Sequence, residues 1–211
     1  MATKVVKTGN GKTGRPISFD KDAALEAAML LFWERGFEGT SMADLTQAMG
    51  LNPSSIYAAF GDKHALFSLA VKRYLDTRAQ YATEALEQPT LEKVIRALFD
   101  NTVAFLTTPG HPPTCMTLAG AMGCSVDAAP ARDLMTAVRR ENEVAIRERL
   151  LEARKSGELS KDINVDDYTR YLSSILAGLS IQAANGSTKA ELKRTSQMAL
   201  RHFGLLRLVV K

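Results

Sequence analysis

Residues 50–66, GLNPSSIYAAFGDKHAL, contain the signals that decide the fold. Gly50 suits a tight turn, and the side chain of Asn52 can cap the free N–H groups at the start of a helix. Pro53 fits the first helical position, because its missing N–H would have been unpaired there. We therefore expect a turn at Gly50, followed by a short helix that ends near Phe60.

A second short helix is predicted just before this turn. Ser41 stands three residues before Asp44, so the hydroxyl and the carboxylate can each satisfy a free backbone N–H in a capping box. The helix would cover residues 42–49 and stop at Gly50. Two short helices joined by a tight turn form a helix-turn-helix, whose second helix can enter the major groove of DNA.

The rest of the chain shows helical periodicity without convincing strand-like alternation. Residues 20–37 predict a first helix that ends at Gly36, and residues 63–88 predict one long fourth helix after an Asp62 cap. Further helices are predicted over residues 91–108, 114–124, 131–156, 166–184 and 188–203. The expected fold class is therefore all-α, with about nine helices.

The positive charge of the chain is concentrated at its N-terminus. The formal net charge is +4, and residues 1–19 contain four of the 27 basic residues and no acidic one. The other 23 basic residues match the 23 acidic residues, so the excess lies entirely in this segment. A flexible basic arm on a neutral body is typical of a protein that contacts a polyanion, although basic tails also serve solubility alone.

Composition and motifs argue against several other classes of protein. An apolar fraction of 45% and a charged fraction of 24% are ordinary for a globular protein. The N-terminus lacks the apolar segment of a secretory signal, so we expect a cytoplasmic protein. The three histidines, His64, His111 and His202, lie in unrelated segments, and no glycine-rich phosphate loop is present. We therefore expect no enzyme activity, no metal and no cofactor.

Residues 36–66, GFEGTSMADLTQAMGLNPSSIYAAFGDKHAL, resemble the DNA-binding domain of TetR-family transcriptional regulators. The capped short helix, the glycine turn, the Tyr57 and Phe60 pair and the start of helix four all match that family's pattern. The resemblance implies a helix-turn-helix domain over residues 20–66 and a ligand-binding and dimerisation domain over residues 67–211. It also implies a homodimeric regulator, most often a repressor that a small molecule releases from a palindromic operator.

The DNA-contacting residues follow from the chemistry of the two short helices. Ser54, Ser55 and Ala58 are small enough for close approach to base edges, and DNA shape would supply further specificity. Tyr57 and Lys63, through the resemblance as well as their chemistry, are expected to contact phosphates, although Tyr57 and Phe60 are also candidates for the core. The remaining expected contacts are Thr40, Ser41, Asn52 and, in the minor groove, Arg15.

The helices over residues 166–203 are expected to form the dimer surface. Small side chains allow helices to approach closely, and neighbouring apolar side chains supply area, although the same pattern suits an internal core. The resemblance favours an interface of two helices from each subunit. The residues expected in it are Ser174, Ile175, Gly178, Leu179 and Ala199.

An effector pocket is expected between the middle helices of the larger domain. Its predicted lining is apolar and deformable, although residues at this spacing are also typical of plain core. The predicted pocket residues are Phe99, Val103, Cys115, Met116, Met122, Met135 and Val138. The sequence does not identify the small molecule.

Cys115 and Cys124 raise the alternative of a redox- or electrophile-responsive regulator. On one continuous helix they would lie on opposite faces, about 13 Å apart along the axis. A disulfide, whose Cα atoms lie within about 7 Å, would then require unwinding at the intervening glycines. Cys115 follows Pro113 near an expected helix start, which favours a reactive thiol, whereas a buried inert thiol is the alternative. With Met116 and Met122 the two cysteines supply soft ligands for copper(I), but in no known spacing.

A third class of function is a protein-binding adaptor that is built on the helix-turn-helix. The basic arm argues against this alternative.

Overall fold

The computed structural model describes residues 19–119 and 125–208, with side chains up to residue 203. These residues form ten α-helices and no strand, so the prediction of an all-α fold is confirmed. No helix among them is long and apolar enough to cross a membrane. The helices are α1 Lys21–Arg35, α2 Met42–Met49, α3 Pro53–Phe60, α4 Lys63–Thr77, α5 Gln80–Leu86, α6 Leu91–Leu106, α7 Met116–Ala119, α8 Ala129–Lys155, α9 Val165–Ala184 and α10 Lys189–Leu208.

The predicted caps of the short helices are present. The Ser41 hydroxyl accepts a hydrogen bond from the Asp44 N–H at 3.1 Å, and the Asp44 carboxylate accepts one from the Ser41 N–H at 2.8 Å. Asn52 accepts a hydrogen bond from the Ser55 N–H at 2.8 Å at the start of α3. Gly50 ends α2 with a φ of 64°, a left-handed conformation that favours glycine. The chain therefore turns between α2 and α3 as predicted.

The prediction of one helix over residues 63–88 is wrong. The chain leaves the helical path at Arg78, with a φ of −121°, and the N–H groups of Arg78 and Ala79 both bond to the Tyr74 carbonyl. The Arg78 guanidinium reaches across to Glu26 of α1 at 2.6 Å. The helix breaks at this ion pair, although neither glycine nor proline is present there. Helix α5 is therefore separate from α4.

Two cores fill the molecule. The first lies between α1, α2, α3 and α4 and continues into α7 and the start of α8. Its larger buried side chains include Met29, Phe32, Trp33, Leu45, Ile56, Phe67, Tyr74, Met116 and Met135. The second lies between α5, α6, the end of α8, α9 and α10, and includes Leu98, Phe99, Ile146, Leu172, Leu179 and Phe203. Phe105 packs against both cores.

An ion-pair cluster fixes α1 against α4. Glu26 accepts hydrogen bonds from Arg73 and Arg78, each at 2.6 Å. Burial opposes ionisation of the Glu26 carboxyl, but the two arginine hydrogen bonds outweigh it and hold the pKa below its ordinary value. The carboxylate therefore stays charged, and the orientation of α1 depends on that of α4.

Loss of the capping hydroxyl in Ser41→Ala is expected to lower the free energy of unfolding by about 1 kcal/mol. The Ser41 hydrogen bonds also hold the pKa of Asp44 below its ordinary value of 3.8. That part of the stability is present above pH 3.8 and is lost as the pH falls through the lower folded pKa. Urea unfolding at neutral and acidic pH should therefore show a smaller difference between wild type and variant in acid.

Ser68→Ala is the matched control. Ser68 is an exposed serine within α4 whose hydroxyl bonds to the His64 carbonyl at 3.0 Å. Alanine is the better helix former at such a position, so no loss of stability is expected. A Ser41→Ala protein as stable as wild type at neutral pH would contradict the capping role.

Candidate functional site

The outer face of α3 presents small side chains and one aromatic ring to solvent. Ile56 and Phe60 point into the first core and anchor the helix. Ser54 and Ala58 are exposed on the opposite side, and Tyr57 is 51% exposed. Of the two residues that were candidates for the core, Phe60 is buried in it and Tyr57 faces solvent. The face suits close approach to a groove, with one phenol at its edge.

The helix starts use several of the predicted DNA-contacting side chains for capping. The Asn52 side-chain oxygen accepts hydrogen bonds from the Ser54 hydroxyl and the Ser55 N–H, both at 2.8 Å. The Ser41 hydroxyl is bonded to Asp44. Ser41, Asn52 and Ser54 are exposed and Ser55 is half-buried, so their side chains combine a structural role with access to solvent.

Thr40 lies where its side chain cannot contact DNA. It is fully buried, and its hydroxyl donates a hydrogen bond to the Gly36 carbonyl at 2.8 Å. Thr40 instead holds the turn that leads into α2. Arg15 lies outside the described residues.

Lys63 occupies the first turn of α4, beside α2 and α3. Its ammonium group lies 4.3 Å from the centre of the Phe37 ring, a cation–π contact that holds the side chain in place. Burial lowers the pKa of Lys63, and the carboxylates of Glu38 and Asp44 act in the opposite direction. The charge is therefore fixed at one position beside the α3 face.

The residues predicted for the dimer surface divide between the outside and the inside of the chain. Ser174 is exposed, and Gly178 has open space beside its Cα. Ile175 is half-buried against the second core, whereas Leu179 and Ala199 are buried within it, because they pack against α6 and the neighbouring helix. Among the described side chains of these two helices, the large apolar ones that are exposed are Ile181 at 44% and Met198 at 70%. Met198 is not among the residues predicted from the sequence, because its exposure depends on how α10 is rotated.

A cavity of about 470 Å³ lies between the middle helices. Helices α4, α5, α6, α8 and α9 and the segment around α7 form its walls. Its lining is mainly apolar, with hydroxyl groups, one thiol, one amide, one carboxylate and one guanidinium. The side chains include Tyr74, Tyr81, Leu98, Thr102, Leu106, Cys115, Arg139, Ile146, Ser173 and Ser180.

Of the residues predicted for the pocket, Cys115 lines this cavity and five others do not. Phe99 and Val103 are buried in the second core. Met116, Met135 and Val138 are buried in the first. Met122 lies outside the described residues. Helical spacing identifies side chains that point inward, but it does not show whether they meet other side chains or an open space.

Cys115 is held at the cavity wall by polar contacts. Its sulfur lies 3.5 Å from the Tyr74 hydroxyl and 3.0 Å from the Thr117 hydroxyl. Its N–H donates to the Ser180 hydroxyl at 2.8 Å. Burial raises the pKa of Tyr74 well above its ordinary value, so this phenol remains protonated beside the thiol. Cys124 lies outside the described residues.

The segment around Cys115 also contacts the first helix. The indole N–H of Trp33 donates to the Thr114 carbonyl at 2.9 Å. Further along, the Ser125 N–H lies 3.2 and 3.1 Å from the two carboxylate oxygens of Glu38, in the turn between α1 and α2. These hydrogen bonds from Ser125 lower the pKa of Glu38. Thr114, next to the cavity-lining Cys115, is thus connected to α1, and Ser125, which precedes α8, contacts the turn between α1 and α2.

Two family models match the chain. Residues 24–70 match the model for bacterial regulatory proteins of the tetR family. Residues 91–199 match the model for the tetracyclin repressor-like C-terminal domain. Both halves therefore agree with the resemblance found in the sequence.

Characterised relatives give the same result. The HTH-type transcriptional repressor ComR of Escherichia coli (strain K12) is 30% identical over 95% of this chain and 97% of its own. The repressor BdcR of the same strain is 30% identical over 92% of this chain and 94% of its own. A cysteine mutant of the TetR-family regulator CifR, complexed with 26bp operator DNA, matches 89% of this chain and 98% of its own, with a TM-score of 0.85 and 35% identity. These relatives regulate transcription and are not enzymes, and the chain therefore belongs to the TetR family of DNA-binding transcriptional regulators.

Proposed function

We propose that this protein is a homodimeric repressor that leaves a palindromic operator when a small molecule occupies the cavity. The observation that carries the proposal is the connection between the cavity and the DNA-binding helices. Cys115 lines the cavity, and the adjacent Thr114 carbonyl accepts the hydrogen bond from Trp33 of α1. Because α2 packs on α1, a shift of this segment would move the helix-turn-helix.

The α3 face supports operator binding. Ser54 and Ala58 would approach base edges, while Tyr57, Lys63 and the backbone N–H groups at the helix starts would contact phosphates. Arg15 would reach an adjacent minor groove. The relatives ComR and BdcR are named repressors, and this favours repression over activation.

The outer faces of α9 and α10 support a dimer. Ile181 and Met198 are large apolar side chains with substantial exposed surface. Gly178 and Ser174, which is exposed and also contributes to the cavity lining, would allow close helix approach. A two-fold dimer would place two copies of α3 roughly 34–36 Å apart, or a multiple of that distance, on a palindromic site.

A ligand releases DNA only if it binds the two conformations of the protein with different affinities. An occupant near Cys115 would displace Thr114, and through the hydrogen bond to Trp33 it would change the position of α1 and of α2, which packs on it. The DNA-binding conformation would then be the one with the smaller cavity.

Replacement of Lys63 by methionine tests the DNA face. The Lys63→Met side chain keeps its packing on Phe37 but loses the phosphate contact, so operator binding should weaken. The slope of log affinity against log salt concentration should become shallower by about 1. Gel shifts would use an operator that the wild-type protein selects from genomic fragments, over a range of salt concentrations.

Lys72→Met is the control for this experiment. Lys72 is an exposed lysine of the same helix, paired with Asp76 at 2.6 Å on its own surface. Its replacement should leave both affinity and salt slope unchanged. The assigned DNA face is wrong if Lys63→Met behaves as wild type.

The dimer is tested with Met198→Glu. A glutamate at this position would place a charge in an apolar interface, so the variant should sediment as a monomer of 23.0 kDa, whereas wild type should have twice that mass. Val144→Glu, at an apolar position of α8 that is 52% exposed, should remain dimeric. A dimeric Met198→Glu protein would place the interface elsewhere.

A second candidate trigger is covalent modification of Cys115. Its sulfur lines the cavity and is surrounded closely by Tyr74 and Thr117, so an adduct would separate these side chains. In the reaction with N-ethylmaleimide, the sulfur adds to one alkene carbon, and a proton is transferred to the other. The wild-type protein should then lose operator binding.

Serine variants would show which thiol is responsible for the loss of operator binding after treatment with N-ethylmaleimide. Cys115→Ser should retain operator binding after treatment with the reagent, while Cys124→Ser should lose it as wild type does. Mass spectrometry of the treated proteins would locate the adduct. If Cys115→Ser is as sensitive as wild type, this candidate trigger is rejected.

A further inference from the structure

Three hydroxyl groups at the wall of the cavity make no hydrogen bond within the described part of the chain. They belong to Tyr81 of α5, Thr102 of α6 and Ser173 of α9. Thr102 is only 7% exposed, and the Ser173 oxygen is buried without a partner. Buried polar groups are usually hydrogen-bonded, so the fully buried Ser173 oxygen calls for an explanation. The hydroxyls of Tyr81 and Thr102 belong to other residues of the same lining and have no partner in the described part of the chain.

Comparable threonines elsewhere in the molecule are satisfied. Thr107, also at α6, donates to the Val103 carbonyl at 2.8 Å. Thr169, buried in α9, donates to the Val165 carbonyl at 2.8 Å. Thr102 makes no such bond to its own helix. Its hydroxyl is therefore available to a molecule in the cavity.

The charged groups at the cavity do not favour an ionic ligand. The lining carries one charge of each sign, the Arg139 guanidinium and the carboxylate of the exposed Glu143. The Arg139 guanidinium already donates to the Thr117 carbonyl and to the Thr136 hydroxyl. Burial raises the pKa of Tyr81 above its ordinary value, so its phenol stays neutral and keeps its donor proton.

We propose that the cavity binds an uncharged, mostly apolar molecule with at least two oxygen atoms, which pair with the hydroxyls of Tyr81 and Thr102 and, after rotation of its side chain, with that of Ser173. The leucine, isoleucine and alanine side chains of the wall bury its carbon skeleton. A volume of about 470 Å³ lies within the usual range for small-molecule sites. The inference rests on the proposed function, in which this cavity is the effector site.

Trp33 provides a direct measurement of occupancy. It is the single tryptophan of the chain, and its ring lies 4.9 Å from that of Tyr74, which lines the cavity. Its fluorescence would be followed without DNA during titration with octane-1,2-diol, octane-1,4-diol and octane-1,8-diol. Octanoate and n-octane are the anionic and the hydrocarbon probes of the same length. At least one diol should bind about tenfold more tightly than octanoate.

Variants identify the hydroxyls. Thr102→Val keeps the shape of the side chain and removes its hydroxyl. Ser173→Ala removes the Ser173 hydroxyl. Each should raise the Kd of the best diol about five- to tenfold, the effect of one lost hydrogen bond to a buried partner. Thr169→Val, in which the lost hydroxyl lies away from the cavity lining, should leave the Kd unchanged.

The outcomes separate this inference from the proposed function. Any of three results would overturn the proposed ligand class: octanoate binds most tightly of the probes, both cavity variants bind the diol as wild type does, or no diol changes the fluorescence. If the wild-type protein still binds its operator as a dimer in that case, the proposed regulator stands. Absence of operator binding by the unliganded wild type would instead reject the proposed function, whatever the probes show.

Discussion

The buried indole of Trp33 is the contact on which the arrangement of the molecule depends. The side chain has no exposed surface, and its ring packs against Tyr74, Phe105 and His111 from three other segments. Its N–H is satisfied by the Thr114 carbonyl, next to the cavity. Separation of these groups would leave a polar N–H unpaired in an apolar environment, which costs about 1–3 kcal/mol. The DNA-binding helices therefore do not move independently of the cavity wall.

The buried side chains of the first core also attach the DNA-binding helices to the rest of the molecule. The expected boundary between domains followed residue 66, yet the same buried cluster includes Tyr74 of α4, Met116 of α7 and Met135 of α8. The Glu26 ion pairs with Arg73 and Arg78 bind α1 to α4 on another side. Because close-packed cores deform little, the proposed change at the cavity would be transmitted as a displacement of whole helices.

Sequence reasoning succeeded where local chemistry determines the structure. Caps at Ser41 and Asn52 involve neighbours in sequence, so α2 and α3 were predictable. The break at Arg78 follows no local signal and coincides with an ion pair to distant Glu26. Most of the predicted pocket lining, Cys115 excepted, was wrong for a similar reason: Phe99 and Met135 point inward as expected, but the empty space lies elsewhere. A single threonine within α6 has no sequence signature that distinguishes an unpaired hydroxyl from a paired one.

The exposed face of α3 has a consequence for the evolution of this regulator. Ala58 and Tyr57 lie opposite the buried Ile56 and Phe60, outside the core and the helix cap. Substitutions at exposed positions of this kind usually change stability by less than about 0.5 kcal/mol. With this face as the proposed operator-reading surface and the cavity as the proposed effector site, a duplicated gene could acquire a new target sequence through single codon changes, while the copy continues to fold and to respond to the same signal. Selection for new targets and selection for a folded protein act on different residues.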